Sequence, residues 1–311
     1  MVAGNDTSGL VLLGLPSRAE LQAAWFVLLL AAYAVTLAGN VGVLLLVRSD
    51  PRLHTPMYFF LSHLSLLDTC YSSAITPPAL LNLLLQEKVI SFAGCAAQLF
   101  VFASCATAEC YLLAAMAYDR RLAVWEPLLY SLATSHRLCV AMVLGACLAG
   151  LVSSAIHTVS IFRLPFCAPK RMDHFFCYGR PLLAQSCAAT CLSEVTTAAV
   201  VGFNVLGTAV FILGSYLLVL SSVLRLRSVP ARRKAFSTCA AHSVSAALYY
   251  SSSLFMYLQP SSSRSPPHDK VISVVYSVAA PMLNPLIYSL RNTDVKNSMR
   301  KAKGRVLSSL P

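Results

Sequence analysis

Charge is what this chain has least of. Of its 311 residues only 12% are Asp, Glu, Lys or Arg, whereas 57% are hydrophobic and the mean hydropathy is +0.67. So few charges cannot coat a water-soluble domain of this size, which places the chain in a bilayer. Internal repeats are also missing, and with them the paired halves on which many transporters are built. The seven histidines, His54, His63, His136, His157, His174, His242 and His268, form no cluster at helical spacing. With no metal cluster and no nucleophile beside a base, an enzyme is not indicated. Residues 10–15, LVLLGL, are too short and too weakly flanked for a secretory leader, which leaves the first long apolar run as the insertion signal.

What the chain does have is apolar length. A span needs about 20 apolar residues, and seven runs supply them, near 23–47, 57–81, 95–118, 138–160, 195–224, 236–259 and 271–290. The expected fold is therefore an all-α membrane protein, a seven-helix bundle. Its organisation would be an extracellular segment 1–22, a helical domain 23–290 with a long second extracellular loop at about 161–194, and a cytoplasmic tail 291–311. With the N-terminus outside, most of the 24 basic residues fall on the inner side, among them Arg48, Arg52, Arg120, Arg121, Arg225, Arg232, Arg233 and Lys234. The acids there are only Asp50, Asp119, Glu126 and Asp294, so the whole net charge of +12 lies inside, as the positive-inside rule requires. A basic chain of this kind needs no nucleic acid as partner. Asn5-Asp6-Thr7 is a glycosylation sequon on the outer segment. Lys296, Arg300, Lys301 and Lys303 make the tail a basic amphipathic helix lying on membrane lipid, and with no Cys there palmitoylation of the tail is excluded.

Of eleven cysteines, Cys70, Cys105, Cys110, Cys139, Cys147 and Cys239 lie inside apolar runs and read as small packing residues. Cys95, Cys167, Cys177 and Cys187 face the oxidising outer side, where two disulfides are expected in several allowed pairings, with Cys191 as a competitor. His174 and Cys177 have a spacing that would suit a soft metal if Cys177 were a free thiolate.

Carboxylates at membrane depth are functional candidates by default. At about 1.5 Å of rise per residue, Glu109 lies roughly 15 Å and Asp68 roughly 18 Å above the inner surface, with Asn40 and Asn284 each roughly 12 Å above it. Two close carboxylates either share a proton or hold a hard cation such as sodium between them, and both readings stand at this point. Pro281 and Pro285 interrupt the seventh run and kink it, as a hinge or as static packing.

Several stretches in order then resemble one family: GN at 39–40, LHTPMYFFLSHLSLLD at 53–68, MAYDR at 116–120, SY at 215–216, KAFSTCAAH at 234–242 and PMLNPLIYSLRN at 281–292. The chain resembles the rhodopsin-like G-protein-coupled receptors and, within them, the olfactory (odorant) receptors. The resemblance selects the pairs Cys95–Cys177 and Cys167–Cys187. It implies that Asp119 restrains Arg120 at rest, that Arg120 meets the G-protein region once the helices part, and that Tyr216 and Tyr288 close in on the activated arrangement. Asn284 and Pro285 belong to the same activation machinery, and the layer of Asn40, Asp68, Glu109 and Asn284 is similar to the family's sodium-linked core. The chain departs from the pattern after Asp119-Arg120, with Arg121 where the family usually has Tyr and with Trp125-Glu126 in the second inner loop.

Helical spacing puts Phe102, Ala103, Ala106 and Thr107 on one face of the third helix. The resemblance adds Asn204, Tyr250, Ser253, Tyr257, Val274 and Ser277 as ligand contacts, each of which could equally pack between helices. Apolar walls with a few hydroxyls and amides suit a small, mostly neutral molecule. The implied function is a plasma-membrane odorant receptor that binds a volatile molecule and activates a stimulatory olfactory-type G protein to raise cyclic AMP. The alternative is a channel or transporter of small solutes.

Overall fold

The computed structural model describes residues 9–14, 19–85, 89–126, 130, 134–166, 171–225, 228–258, 273–291 and 295–301. Seven long helices carry the chain back and forth. They are α1 (Ala19–Ser49), α2 (Pro56–Leu84), α3 (Phe92–Trp125), α4 (His136–Phe162), α5 (Cys191–Arg225), α6 (Val229–Leu258) and α7, a π-helical turn Val275–Ala279 running into Ala280–Arg291. Each of the first five overruns its apolar run at both ends, because a helix does not stop at the hydrocarbon boundary. Local chemistry sets the starts: Pro56 opens α2 at a position where its missing N–H costs nothing. Ser91 and Ser135 cap α3 and α4 by accepting from Gly94 N–H and Leu138 N–H.

By length and composition alone, α1, α3, α4 and α5 can cross a membrane. Among the rest, α2 and α6 are more polar, yet the polar side chains Ser65, Asp68, Ser72, His242, Ser245 and Ser253 are buried inside the bundle. Large apolar side chains face outward instead, such as Phe203 at 75% and Val210 at 69% exposure. That inversion suits lipid, where backbone groups must be satisfied within the helix and apolar faces need no cover.

The central helix is α3, which packs against α2, α4, α5 and α6. It meets α4 closely: a Cβ on Gly150 would lie 2.4 Å from the carbonyl oxygen of Ser104, so only glycine fits. The Ser154 hydroxyl reinforces the seam by donating to the Phe100 carbonyl at 2.6 Å.

The extracellular end carries a feature that the sequence pattern did not reveal. Residues 10–15 contain a strand, β1 (Leu10–Leu12), at the centre of a three-stranded sheet. It pairs antiparallel with β2 (Val89–Ile90), Leu10 opposite Ile90, and parallel with β3 (Arg171–Met172), Leu12 opposite Met172. Leu10, Leu12 and Met172 are fully buried under this sheet. At the other end, residues 295–301 form a further helix, α8, with Val295 and Ser298 buried and Lys296, Arg300 and Lys301 exposed. It is held to the turn after α1, where the Ser298 hydroxyl donates to Asp50 Oδ2 at 2.6 Å. Hydrogen bonds from Arg52 and then Ser298 keep the half-buried Asp50 carboxyl well below the usual carboxylate range.

Candidate functional site

The site has three levels, all built on α3. The outermost is an internal cavity of about 40 Å³, room for roughly three waters. Phe102, Ala103, Ala106 and Thr107 of α3, Asn204 of α5 and Ser253 of α6 line it. Three of the expected positions do not line this cavity. Tyr250 points away and donates to Thr208 Oγ1 at 2.7 Å. Its neighbour Tyr249 faces the cavity instead, because one residue turns a helix by about 100°. Ser277 is buried against its own helix, donating to the Ser273 carbonyl, and the half-buried Val274 packs into the core, while Tyr276 lines the wall. The Tyr257 side chain lies outside the described residues.

Sequence reasoning also missed Cys110, Ser153 and His157, which complete the lining from α3 and α4. The signal was there for His157, the single ionisable side chain besides two cysteines in a run without charge. Its Nδ1 lies 3.2 Å from the Thr197 hydroxyl of α5.

The polar atoms around this cavity are largely committed. Asn204 accepts from the Tyr111 hydroxyl at 2.8 Å and donates to Ser153 Oγ and the Val200 carbonyl. The Tyr249 hydroxyl donates to the Ala106 carbonyl at 2.6 Å and accepts from Tyr276, so α3, α6 and α7 meet at one ring. The Ser253 side chain is buried, and its hydroxyl has no partner.

One level inward, the amide nitrogen of Asn284 donates to Asp68 Oδ2 at 3.0 Å and reaches Glu109 Oε1 at 3.4 Å. Three of the four polar residues placed at one depth therefore meet on a single nitrogen. Asn40 turns elsewhere, donating to the Pro281 carbonyl at 3.1 Å and to Thr36. This bridges α1 to the carbonyl that a proline kink leaves available. Close by, Gly39 leaves room for Pro285, whose ring carbon a Cβ would meet at 2.8 Å. Asp68 Oδ1 and Asn40 Oδ1 are buried oxygens without a hydrogen-bond partner.

At the cytoplasmic end, Arg120 donates to Asp119 Oδ2 through Nη2 at 2.6 Å and Nε at 3.2 Å. Tyr130, in the second inner loop, donates to the other oxygen of Asp119 at 2.7 Å. Burial followed by the neighbouring Asp119 charge pushes the Tyr130 hydroxyl above the usual phenol range. Tyr216 bonds to His242 Nδ1, and His242 Nε2 bonds to the Leu113 carbonyl at 3.0 Å. Tyr288 is buried with its hydroxyl unpartnered. Trp125 and Glu126, at the departure from the resembled pattern, are exposed at the end of α3.

On the outer side, Cys95 at the top of α3 is joined to Cys177, which removes the thiolate that a soft metal would need. His174 instead lies 3.1 Å from the Ser273 hydroxyl through Nε2. Among the described residues no group of three or more His, Cys, Asp or Glu could hold a metal. Cys187 is disulfide-bonded and Cys191 is free, while Cys167 and the Asn5 sequon lie outside the described residues.

Comparisons with known proteins agree with this geometry. The family model described as olfactory receptor matches residues 29–305. Olfactory receptor 5AP2 of Mus musculus is 48% identical over 296 residues, covering 95% of this chain and 93% of that one. Olfactory receptor 5C1 of Homo sapiens is 49% identical over 295 residues, covering 95% and 92%. The crystal structure of squid rhodopsin superposes with a TM-score of 0.69 at 16% identity, over 94% of this chain and 88% of that one, which shows the shared seven-helix fold. A channel or transporter finds no support in these matches. The chain belongs to the olfactory receptor family of G-protein-coupled receptors, multi-pass proteins of the plasma membrane that signal rather than catalyse.

Proposed function

We propose that this receptor takes a small, mostly neutral volatile molecule into the cavity between α3, α4, α5 and α6, and answers by activating a stimulatory olfactory-type G protein that raises cyclic AMP. The observation that carries the ligand class is the wall itself. It holds no Asp, Glu, Lys or Arg, and the hydroxyl of Ser253 is buried on it without a partner. An amine would find no carboxylate there. A molecule with an apolar body and one oxygen would cover Phe102, Ala106 and Val205 and satisfy Ser253.

The coupling step follows from what touches the cavity. A ligand larger than this small resting cavity displaces Tyr249, which is bonded to α3 and α7, and so favours one helix packing over another. At the inner end that change releases Arg120 from Asp119 and frees Tyr216 from His242 for a G protein to exploit. Between the two levels, the paired carboxylates and the unpartnered oxygens of Asp68 and Asn40 fit a sodium ion. Asp68 and Glu109 would hold it, and it would offset their mutual repulsion.

The test is expression of the chain and of Arg120→Ala in cells with a stimulatory olfactory-type G protein, at matched surface level, across a panel of neutral volatile compounds. A cyclic AMP response present in the parent and lost in the variant is the expected result. A response that survives Arg120→Ala would remove the inner-end mechanism.

A further inference from the structure

At the outer end of the bundle the described residues include a sheet and a disulfide. β1 is zipped between β2 and β3, and the Cys95–Cys177 disulfide pins the following loop to the top of α3. Beside that disulfide, the Phe176 ring rests 5.4 Å from Phe102 on the cavity wall. Gly9 and Ile90 lie so close that a Cβ on Gly9 would stand 2.3 Å from the Ile90 carbonyl oxygen. Passage between these three strands would require them to unpair.

A second space opens sideways. Between the outer parts of α5 and α6, beside the short helix Gly179–Leu183, lies a cleft of about 650 Å³ whose walls include Gly202, Leu206 and Leu254. Leu206 on this wall is 48% exposed and Val195 is 60% exposed. For a membrane-spanning helix those faces meet lipid, and the charged pair of side chains at the cleft's outer end, Arg180 and Glu194, lies where headgroups begin. Val201, Val205 and Ser253 line both the cleft and the inner cavity. The two spaces are therefore neighbours across three small side chains. One of the three is Ser253, 1% exposed, whose unpartnered hydroxyl stands at the neck.

We propose that the ligand reaches the inner cavity from the outer leaflet through the cleft between α5 and α6, which serves as a second binding site, with the Ser253 hydroxyl as the polar group at the neck. The occupant is the same small, neutral, mostly apolar molecule bearing one hydrogen-bonding oxygen, because the cleft shares Val201, Val205 and Ser253 with the cavity and its wall beside them is apolar. Such a molecule partitions into hydrocarbon, so a side opening meets it at a higher concentration than an aqueous one. The proposal rests on the reading of the inner cavity as the ligand site.

The test needs no identified odorant. Cys110 is a free thiol on the inner cavity wall, and Cys191 is a free, exposed thiol at the outer end of α5. Purified full-length chain in phosphatidylcholine nanodiscs is exposed to methyl methanethiosulfonate, a small neutral thiol reagent. Its adducts at Cys110 are followed by peptide mass spectrometry and normalised to Cys191. Two variants fill the cleft without touching the cavity: Gly202→Phe, where an added Cβ meets nothing within 4 Å, and Leu206→Trp, at a position that already faces outward and stays available should Gly202→Phe not fold. Gly202→Ala is the control. The expected result is Cys110 modification in the parent and in Gly202→Ala, slowed at least tenfold by the filled cleft with Cys191 unchanged. Equal Cys110 rates in parent and filled variants would overturn the lateral route while leaving the cavity as the ligand site. Should Cys110 be unreactive in the parent, where its buried thiol bonds to the Tyr249 hydroxyl, the same measurement is made on Ala103→Cys, at a half-buried position on the same wall; if that thiol is unreactive too, both readings fall, since the cavity would then refuse small neutral molecules.

Discussion

Nε2 of His242 lies 3.0 Å from the carbonyl oxygen of Leu113, and that contact orients the whole ring. A carbonyl only accepts, so Nε2 carries the proton, and in the neutral ring Nδ1 is left to accept from the Tyr216 hydroxyl. One imidazole thus ties α3, α5 and α6 together beneath the polar layer. Because α6 also carries Tyr249 and Ser253 at the ligand cavity, movement begun outside must break or keep this tie inside.

Replacing that ring tests its role. His242→Phe keeps the shape and removes both hydrogen bonds, each worth about 1 kcal/mol. If both exist only in the resting packing, the active fraction rises by about tenfold or more. Basal cyclic AMP at matched surface level should increase accordingly without any ligand. A basal level equal to the parent's would show that the tie persists in both packings.

A second restraint lies nearer the cytoplasmic end of α3. Asp119 receives two bonds from Arg120 and one from Tyr130, so it holds both the helix end and the second inner loop. Asp119→Asn leaves the size unchanged and removes the charge, weakening bonds worth about 1.5–3 kcal/mol. It should raise basal signalling by about tenfold, and Tyr130→Phe should raise it by less. Side-by-side basal cyclic AMP measurements decide this, and a Tyr130→Phe effect larger than that of Asp119→Asn would place the restraint in the loop rather than in the ion pair.

Much of this was legible in the sequence, and the misses within the helices are misses of direction. Apolar length located all seven helices, and the rise per residue brought Asp68, Glu109 and Asn284 to a common depth, where they meet. Counting along an axis gives depth; it does not give direction around the axis. Asn40 stands at the right depth and turns to Pro281. Tyr250 was expected where Tyr249 stands. Val274 and Ser277 came from the resemblance alone, and on α7 the π-helical turn Val275–Ala279 changes the residues per turn and with it the direction each side chain takes. The sheet over the outer end was invisible for another reason: strands of two or three residues have no period to read, and their partners are distant in the chain.

The α3–α4 seam gives a stability prediction. A Cβ at Gly150 would stand 2.4 Å from Ser104 O, a backbone atom that cannot swing aside. Gly150→Val should therefore force the helices apart and strain or break the Ser154 to Phe100 hydrogen bond, costing about 1–3 kcal/mol or more from overpacking alone. Surface expression should fall and the melting temperature of the purified protein should drop by several degrees. The control is Gly145→Val on the same helix, where an added Cβ meets nothing within 4 Å; equal losses in the two variants would refute the close-approach argument.

The last prediction concerns the two carboxylates that share Asn284. Asp68 Oδ2 and Glu109 Oε1 converge on one amide nitrogen, which as a neutral donor cannot cancel two negative charges. Either a shared proton or a cation must do so, and the two remedies respond differently to salt. If sodium is bound, a melting curve in sodium chloride should lie above one in choline chloride at equal ionic strength. Saturation at ten times the dissociation constant adds about 1.4 kcal/mol by mass action. Asp68→Asn should abolish the difference between the salts, and Glu109→Gln should reduce it, because each removes one charge from the pair. If the pair holds a proton instead, the two salts should give the same melting temperature in the parent, and the curve should respond to pH alone.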